Sequence, residues 1–600
     1  MNPLAGLATL PASLLDAVPS AALPPLPVAL PLAAAALILA LAKILKGRAP
    51  DAIATVVALL ACGLCAGIAG RAAQDGPLVT WFGGWAPRGG HAVGIGFGVD
   101  AVSAWVAAFV ALLYAAAFVF AWGYFERVQG HFQVLMLLFL AAMIGFLFTR
   151  DLFNLFVWFE VMSVSAFALT AYRLEGSALA GAFNFTVTNS LAGFLMLGGI
   201  GLIYARAGTL DFEGLREAVA ANARDPVVAA AFLLVATALM IKAAIVPFQF
   251  WLADAHAVAP SPVSVIFSGA MVSLGLFGLA KLVWVVFSGS DRILGAVHDA
   301  MVWLGTATAL VGGVMALRQR HLKRLLAFST ISHAGIMMLG IGVLSRDGAG
   351  GLVLYLVGHG LVKGALFMVA GILLATRAGI DEIGLRGLGR GIEPAGVAMA
   401  LGGLLLAGLP LGLLDQGAHG LQAALAAGGH TVALAASVLG AGLTGAAVLR
   451  AAGRIFLGWG AIAGDEDRAP SEAEQERADR PLWLMLAPCA ALLALDLAVP
   501  EAPVAHGLAR ALPTFLHAPA GPAAPHASAW LSWVSVALAL VTAAYDLSRA
   551  HLPAILTRAG RRAGMGPAAW LDDAHSGLIG DYVTWIAVGL ALLAGRLMLA

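Results

Sequence analysis

The sequence predicts an all-α polytopic membrane protein of about 14–16 transmembrane helices. Three observations carry that reading. Of 600 residues, 61% are hydrophobic and only 11% charged, with mean hydropathy +0.92, against roughly 25% charged in soluble domains. Apolar runs of about 20 residues, each able to cross a hydrocarbon layer of about 30 Å, recur along the whole chain. Most of the cations lie between those runs and few within them.

The runs start near Leu26, Ile53, Val102, Phe132, Leu152, Gly181, Val227, Val263, Ala300, Leu325, Leu352, Gly396, Val432, Leu482, Ala529 and Tyr582. Ahead of the first, MNPLAGLATLPASLLDAVPSAALPPLP has no Lys or Arg before its apolar residues and several prolines, unlike a cleaved signal peptide. With strictly alternating spans, the loops after odd-numbered helices hold 21 cations and those after even-numbered helices 9. Cytoplasmic loops carry the excess of Lys and Arg, so both termini are expected outside a bacterial-type cytoplasmic membrane. The longest polar insert, Gly464 to Arg480, reads as a solvated loop or a docking segment for a further membrane protein.

Several function classes drop out. The 34 Lys+Arg balance 33 Asp+Glu without a basic block, which argues against nucleic acid as a partner. Cys62, Cys65 and Cys489 all lie in apolar runs and read as small packing residues, not as a redox pair or cluster ligands. Gly-rich stretches such as LGGIGLIYARAG lack the strand and helix context of a dinucleotide fingerprint. The histidines are scattered without metal-ligand spacing, so neither a metal nor a cofactor is expected on this chain.

What remains is a series of ionisable groups at bilayer depth, where each costs several kcal/mol unless paired or hydrated and is by default functional. Glu160 sits mid-run in DLFNLFVWFEVMSVSAFAL, and Lys242 in LLVATALMIKAAIVPF, five residues before Pro247. A lone carboxylate and a lone ammonium in neighbouring helices form either a proton switch or a static pair that fixes packing. Pro247, Pro260 and Pro262 are expected to prevent one continuous helix, leaving carbonyls open in a segment that holds His256, either a relay group or an interfacial histidine. His359 and Lys363 fall four apart on one helix face, within reach of each other or of a bridging water. His333 is a third relay point or a buried neutral histidine bonded to Ser332 or a carbonyl, and Lys281, near a run's end, is expected to snorkel.

The strings DLFNLFVWFEV, MIKAAIVPFQFWLADAHAVAPSPVS, HLKRLLAFSTISHAGIMMLGIGV and YLVGHGLVKGALF, in that order, resemble the antiporter-like subunits shared by Mrp-type cation/proton antiporters, complex I (NADH:quinone oxidoreductase) and membrane-bound hydrogenases, and most of all the D-type member of the Mrp set. The resemblance covers residues 95 to 415. It implies inverted five-helix repeats, each with one broken helix, at Pro247 and Pro410, and it divides the chain into 1–95, repeats at 96–290 and 291–460, a polar loop at 461–480 and extra helices at 481–600. It also implies a proton path through Glu160, Lys242, His256, His359 and Lys363, to which the residue pattern adds His333. One departure stands out: in AGLPLGLLDQGAHGL, Ala418 occupies the place of the family's charged residue. Either Asp415 or His419 substitutes for it, or the second half-channel is degraded. Three functions fit: a proton- and Na+- or K+-translocating subunit working with other membrane subunits, the pump module of a redox complex whose electron carriers lie on other chains, or the membrane partner of a soluble inorganic-carbon uptake protein.

Overall fold

A computed structural model describes residues 18–87, 94–125, 130–174, 176–377, 379–460, 482–516, 529–548, 571, 575 and 577–599. The polar insert 464–480 and the basic stretch 549–562 lie outside the described residues.

The N-terminal part contributes α1 (Leu26–Ala40), α2 (Ala49–Asp75), a hairpin of β1 (Leu78–Trp81) and β2 (Gly96–Val99), and α3 (Ala101–Tyr124). Two sets of five spans follow. The first is α4 (His131–Phe148), α5 (Leu152–Thr170), α6 (Gly176–Ala207), then after a short amphipathic α7 (Phe212–Ala221) the interrupted pair α8 (Pro226–Lys242) and α9 (Phe250–Val258), and α10 (Ser261–Val286). The second is α11 (Asp291–Arg318), α12 (Leu322–Gly342), α13 (Arg346–Arg377), the interrupted pair α14 (Glu393–Leu406) and α15 (Gly412–Ala427), and α16 (Thr431–Leu457). The tail adds α17 (Trp483–Ala498), an amphipathic α18 (Glu501–Leu516), α19 (Trp530–Ser548) and α20 (Ile579–Leu599). Among the described residues, twelve helices are long and apolar enough to cross a membrane, and α1, α8, α14 and α17 are shorter apolar helices. The sixteen predicted runs are all present, two of them as interrupted pairs.

Local chemistry starts the helices. Asp100, Asp151 and Asp225 accept the N–H of Ser103 (2.9 Å), Asn154 (2.7 Å) and Val227 (2.8 Å), and Pro226 fills the first turn of α8, where no N–H is needed.

Three of the five spans repeat at an offset of 170 residues: α5 and α12 start at 152 and 322, α6 and α13 at 176 and 346, α10 and α16 at 261 and 431. The entry turns correspond bond for bond. Leu152 N–H donates to Leu210 O and Phe212 N–H to Arg150 O, while Leu322 N–H donates to Ile380 O and Glu382 N–H to Arg320 O. An Arg150–Asp211 ion pair (2.8 Å) in the first set is matched by Arg320–Asp381 (3.3 Å) in the second. Because each set has an odd number of spans, the second crosses inverted relative to the first. Helices α10 and α12 are wholly enclosed and α13 nearly so, whereas α19 and α20 are mostly uncovered and face outward.

Both interruptions are chemically provided for. At 243–249 the backbone leaves the helix around Pro247, whose preceding bond is cis; Val246 N–H donates to Thr308 Oγ1 (3.1 Å), and the Ile241 carbonyl accepts both Ala244 N–H (3.0 Å) and Trp251 Nε1 (2.9 Å). At 407–411, around Pro410, Gly408 and Gly412 take φ of 88° and 84°, a region that suits glycine. Pro260 and Pro262 stand where α9 ends and α10 begins, so the segment is not one continuous helix. Pro260 caps α10 and Pro262 lies in its first turn, where proline is compatible with the helix.

Candidate functional site

The ionisable groups singled out in the sequence converge on the enclosed centre. Glu160, half-buried on α5, directs Oε1 at Gly193 of α6, where an added Cβ would collide with that oxygen; Oε1 is buried without a hydrogen-bond partner. Lys242 is the last residue of α8, fully buried at the open carbonyl end of that helix, where a cation is favoured. Glu160 and Lys242 face each other electrostatically without a direct hydrogen bond. Lys242 Nζ donates to Ser163 Oγ (2.6 Å), one turn along α5 from Glu160, and lies 4.5 Å from the centroid of the Phe159 ring.

His256 is not interfacial. It is fully buried on α9, both ring nitrogens without a hydrogen-bond partner, and stacked on Phe367 of α13 at 4.6 Å. The same Phe367 ring receives Lys363 Nζ at 5.2 Å, so one aromatic side chain touches the second arm of the first set's broken span and the central lysine of the second set. Lys363 Nζ donates to Ser329 Oγ (2.5 Å) and Leu326 O (2.6 Å) on α12, not to His359. His359 is buried with both nitrogens unpartnered and its ring centroid 5.2 Å from that of His333. His333 is held by two hydroxyls, Tyr355 OH (2.7 Å) and Thr444 Oγ1 (3.0 Å); the expected partner Ser332 donates instead to Ala309 O.

Tyr355 leads to a small cavity that it lines with Ala418, Gln422, Ser437, Ser532 and Ser535. Ala418 thus opens a void in place of a long charged side chain. Beyond the cavity wall, Asp415 and His419 are paired (Oδ2 to Nδ1, 3.0 Å), and Ser532 on α19 donates to Asp415 Oδ1 (2.9 Å).

Sequence reading missed two groups, Lys323 and Asp496, and misplaced a third, Lys281. Lys323 sits in RQRHLKRLL and reads as a loop charge, yet it is 1% exposed and its Nζ donates to Ala259 O (2.8 Å) at the end of α9. Lys281 does not snorkel: it is buried and donates to Leu147 O at the end of α4. Asp496, the lone ionisable group in WLMLAPCAALLALDLA, is fully buried against the start of α15. The criterion that found Glu160, one charge in an apolar run, applies to it equally.

An all-helical membrane protein with two inverted five-span sets, a broken span in each, and buried acids and bases threaded between them defines the class of antiporter-like membrane subunits. Residues 149–444, just under half of the chain, match the family described as NADH:quinone oxidoreductase/Mrp antiporter, TM. It is 32% identical over 323 residues to NADH-quinone oxidoreductase subunit N of Desulforudis audaxviator, covering 53% of this chain and 63% of that one. It is 29% identical over 335 residues to the putative antiporter subunit mnhD2 of Staphylococcus aureus, covering 56% and 66%. The chain thus spans just under two thirds of the length of these relatives. A chain in the structure of the Mrp complex from Dietzia sp. DQ12-45-1b superposes with a TM-score of 0.71 at 26% identity, covering 87% of this chain and 98% of that chain.

Proposed function

We propose that this chain is the proton- and cation-translocating subunit of a multisubunit Mrp-like Na+(K+)/H+ antiporter, working beside other membrane subunits. The observation that carries this reading is the buried row itself: acid, lysine, histidine, lysine and a histidine pair, each at bilayer depth and each within reach of a hydroxyl, an aromatic face or the next group. Groups so enclosed have no bulk solvent to exchange with and no substrate cleft to serve, and a stepwise proton path is the chemistry they suit. Lys242 on Ser163 and Glu160 one turn away form the switch: movement of the ammonium between hydroxyl and carboxylate couples proton position to the local field. From Lys363 the path continues through His359, His333 and Tyr355 to the cavity beside Asp415 and His419. No cofactor is required on this chain. The cation asymmetry of the loops supports an inner-membrane location with both termini outside.

The likeness to the oxidoreductase relative supports a second reading, the proton-pumping arm of a complex I-like redox enzyme, using the same row. Purification of the tagged complex from its own membranes separates the two: small hydrophobic antiporter subunits favour the first, iron–sulfur or flavin subunits the second. In either complex, Glu160→Gln and Lys242→Ala are each expected to insert normally and abolish coupled proton movement, measured as dye quenching in everted vesicles; wild-type transport in either variant sinks the switch.

A further inference from the structure

The first arm of the second set's broken span ends without a charge, and the acid just past the break, Asp415 in the first turn of α15, is already held by His419 (3.0 Å) and Ser532 (2.9 Å). At the corresponding place in the first set, α8 ends on Lys242, whereas α14 ends on Leu406, and Ala418 supplies nothing further along α15. A carboxylate reaches this break from outside the family segment. Asp496 of α17 is 0% exposed, and its Oδ1 accepts the N–H of Leu414 (3.2 Å) in the first turn of α15. Its Oδ2 is buried with no hydrogen-bond partner and fills the space that a Cβ on residue 412 would need, so only glycine there admits it. No basic group lies within ion-pair distance of it among the described residues.

Depth agrees with this placement. Helix α14 runs 14 residues before the break, and Asp496 lies in the last turn of the 16-residue α17. At 1.5 Å per residue both points stand about 20 Å from the starts of their helices, which the alternation of spans puts on the same side of the membrane. The titratable groups on the elements packed around α17 are Asp415 and His419 on α15, Tyr355, His359 and Lys363 in the body of α13, Tyr114 and Tyr124 on α3, and at helix ends Glu393 of α14 and Arg346, Asp347 and Arg377 of α13, with Gly358, the residue before His359, seated against Leu414 N. Burying an unpaired carboxylate is costly, and the cost is removed when a proton occupies the bare oxygen.

We propose that Asp496 is the proton-binding group of the second set, carried in by a tail helix in place of the charge that Ala418 lacks. Its Oδ2 takes up one proton arriving by the histidine pair and releases it on the far side of the break, while the Leu414 N–H holds the carboxyl in register. This rests on the proton-path reading of the chain.

The test uses the intact complex in everted vesicles with Asp496→Asn, Glu160→Gln and the double variant Asp496→Asn/Ala418→Lys. Asparagine keeps the Leu414 hydrogen bond but carries no exchangeable carboxyl proton. Assembly is expected to be unchanged and proton movement to fall at least about tenfold, with partial recovery when lysine is restored at 418; a purely structural role for Asp496 gives no such recovery. Wild-type transport in Asp496→Asn beside a dead Glu160→Gln overturns the role of Asp496 and leaves the path standing. Wild-type transport in Glu160→Gln overturns both. If Asp496→Asn fails to assemble, Asp496→Glu carries the test: a shifted carboxylic C=O stretch in the pH-difference infrared spectrum is the expected result, and an unshifted spectrum rejects the proposal.

Discussion

The two five-span sets share a backbone frame and differ in the groups they hang on it. At the 170-residue offset Glu160 falls on Thr330, Ser163 on His333 and Gly193 on Lys363. Where α5 meets α6 the ionisable group is an acid on α5, facing a glycine; where α12 meets α13 it is a base on α13, facing Ser329. The helix pair therefore provides one enclosed slot, and either partner can fill it provided the other stays small. The first set adds its second charge at the end of α8, on Lys242, whereas the second set ends α14 on an apolar residue, puts an acid, Asp415, at the start of α15, and concentrates histidines and hydroxyls one helix further in. Position in the frame repeats within the chain, and chemical identity does not.

The sharpest way to break this comparison is to empty the second slot. Lys363→Met keeps the length of the side chain and removes the donor to Ser329 Oγ and Leu326 O. Proton movement in vesicles is expected to fall to background, as with Glu160→Gln, while the complex still purifies. A variant that pumps normally would show that the second set is a scaffold and the first alone conducts.

A smaller effect separates a functional glycine from a structural one. In Gly193→Ala the new Cβ meets only the end of the Glu160 side chain, which can swing away. The expected outcome is transport reduced by about tenfold or more with unchanged thermal stability in detergent. In Gly358→Ala the Cβ would collide with Leu414 N, a backbone atom at the start of α15. Helix α13 must then shift from the break, at a cost of about 1–3 kcal/mol, read as a lowered melting temperature. Equal stability of the two variants would show that the α13–α15 approach is looser than its geometry.

Much of this was legible in the sequence. The sixteen spans follow from hydropathy because a bilayer leaves the backbone few other solutions, and Glu160, Lys242, His359 and Lys363 stand out as charges in apolar runs. Hydrogen-bond partners were not legible. The Ser163 hydroxyl under Lys242, and the Tyr355 and Thr444 hydroxyls on His333, depend on helix rotation and on contacts 79, 22 and 111 residues apart, which no local pattern encodes. Lys323 was hidden for a different reason: it neighbours loop cations, and only the packing of α9 against α12 shows that it turns inward to Ala259. The same limit applies to the tail, whose Asp496 is conspicuous in sequence but whose destination, the break between α14 and α15, is a tertiary fact.

The mildest contrast lies at the caps that open α5 and α12. Asp151 and His321 occupy equivalent positions 170 residues apart, each accepting a backbone N–H, from Asn154 and Arg324. Burial acts on both in favour of the neutral form: it pushes Asp151 up to about 6, and, with Arg324 and Lys323 nearby, it holds His321 down to about 3. The signs oppose. The folded state binds the Asp151 proton more tightly than the unfolded chain does, so that contribution is present below pH ~4 and is lost as pH rises through about 6. The folded state disfavours protonated His321, so its contribution is present above pH ~6.5 and is lost as pH falls towards about 3. His321 must also stay neutral to accept at Nδ1, since a protonated ring offers only donors. Asp151→Asn and His321→Asn each retain a capping oxygen. Melting temperatures in detergent between pH 4 and 8 are expected to show Asp151→Asn gaining on wild type as pH rises and His321→Asn gaining as pH falls, each by roughly 1–2 kcal/mol. Parallel curves for all three proteins would mean that the two caps are wetter than their burial indicates, and that the entry turns of the two sets differ in solvent access as well as in residue.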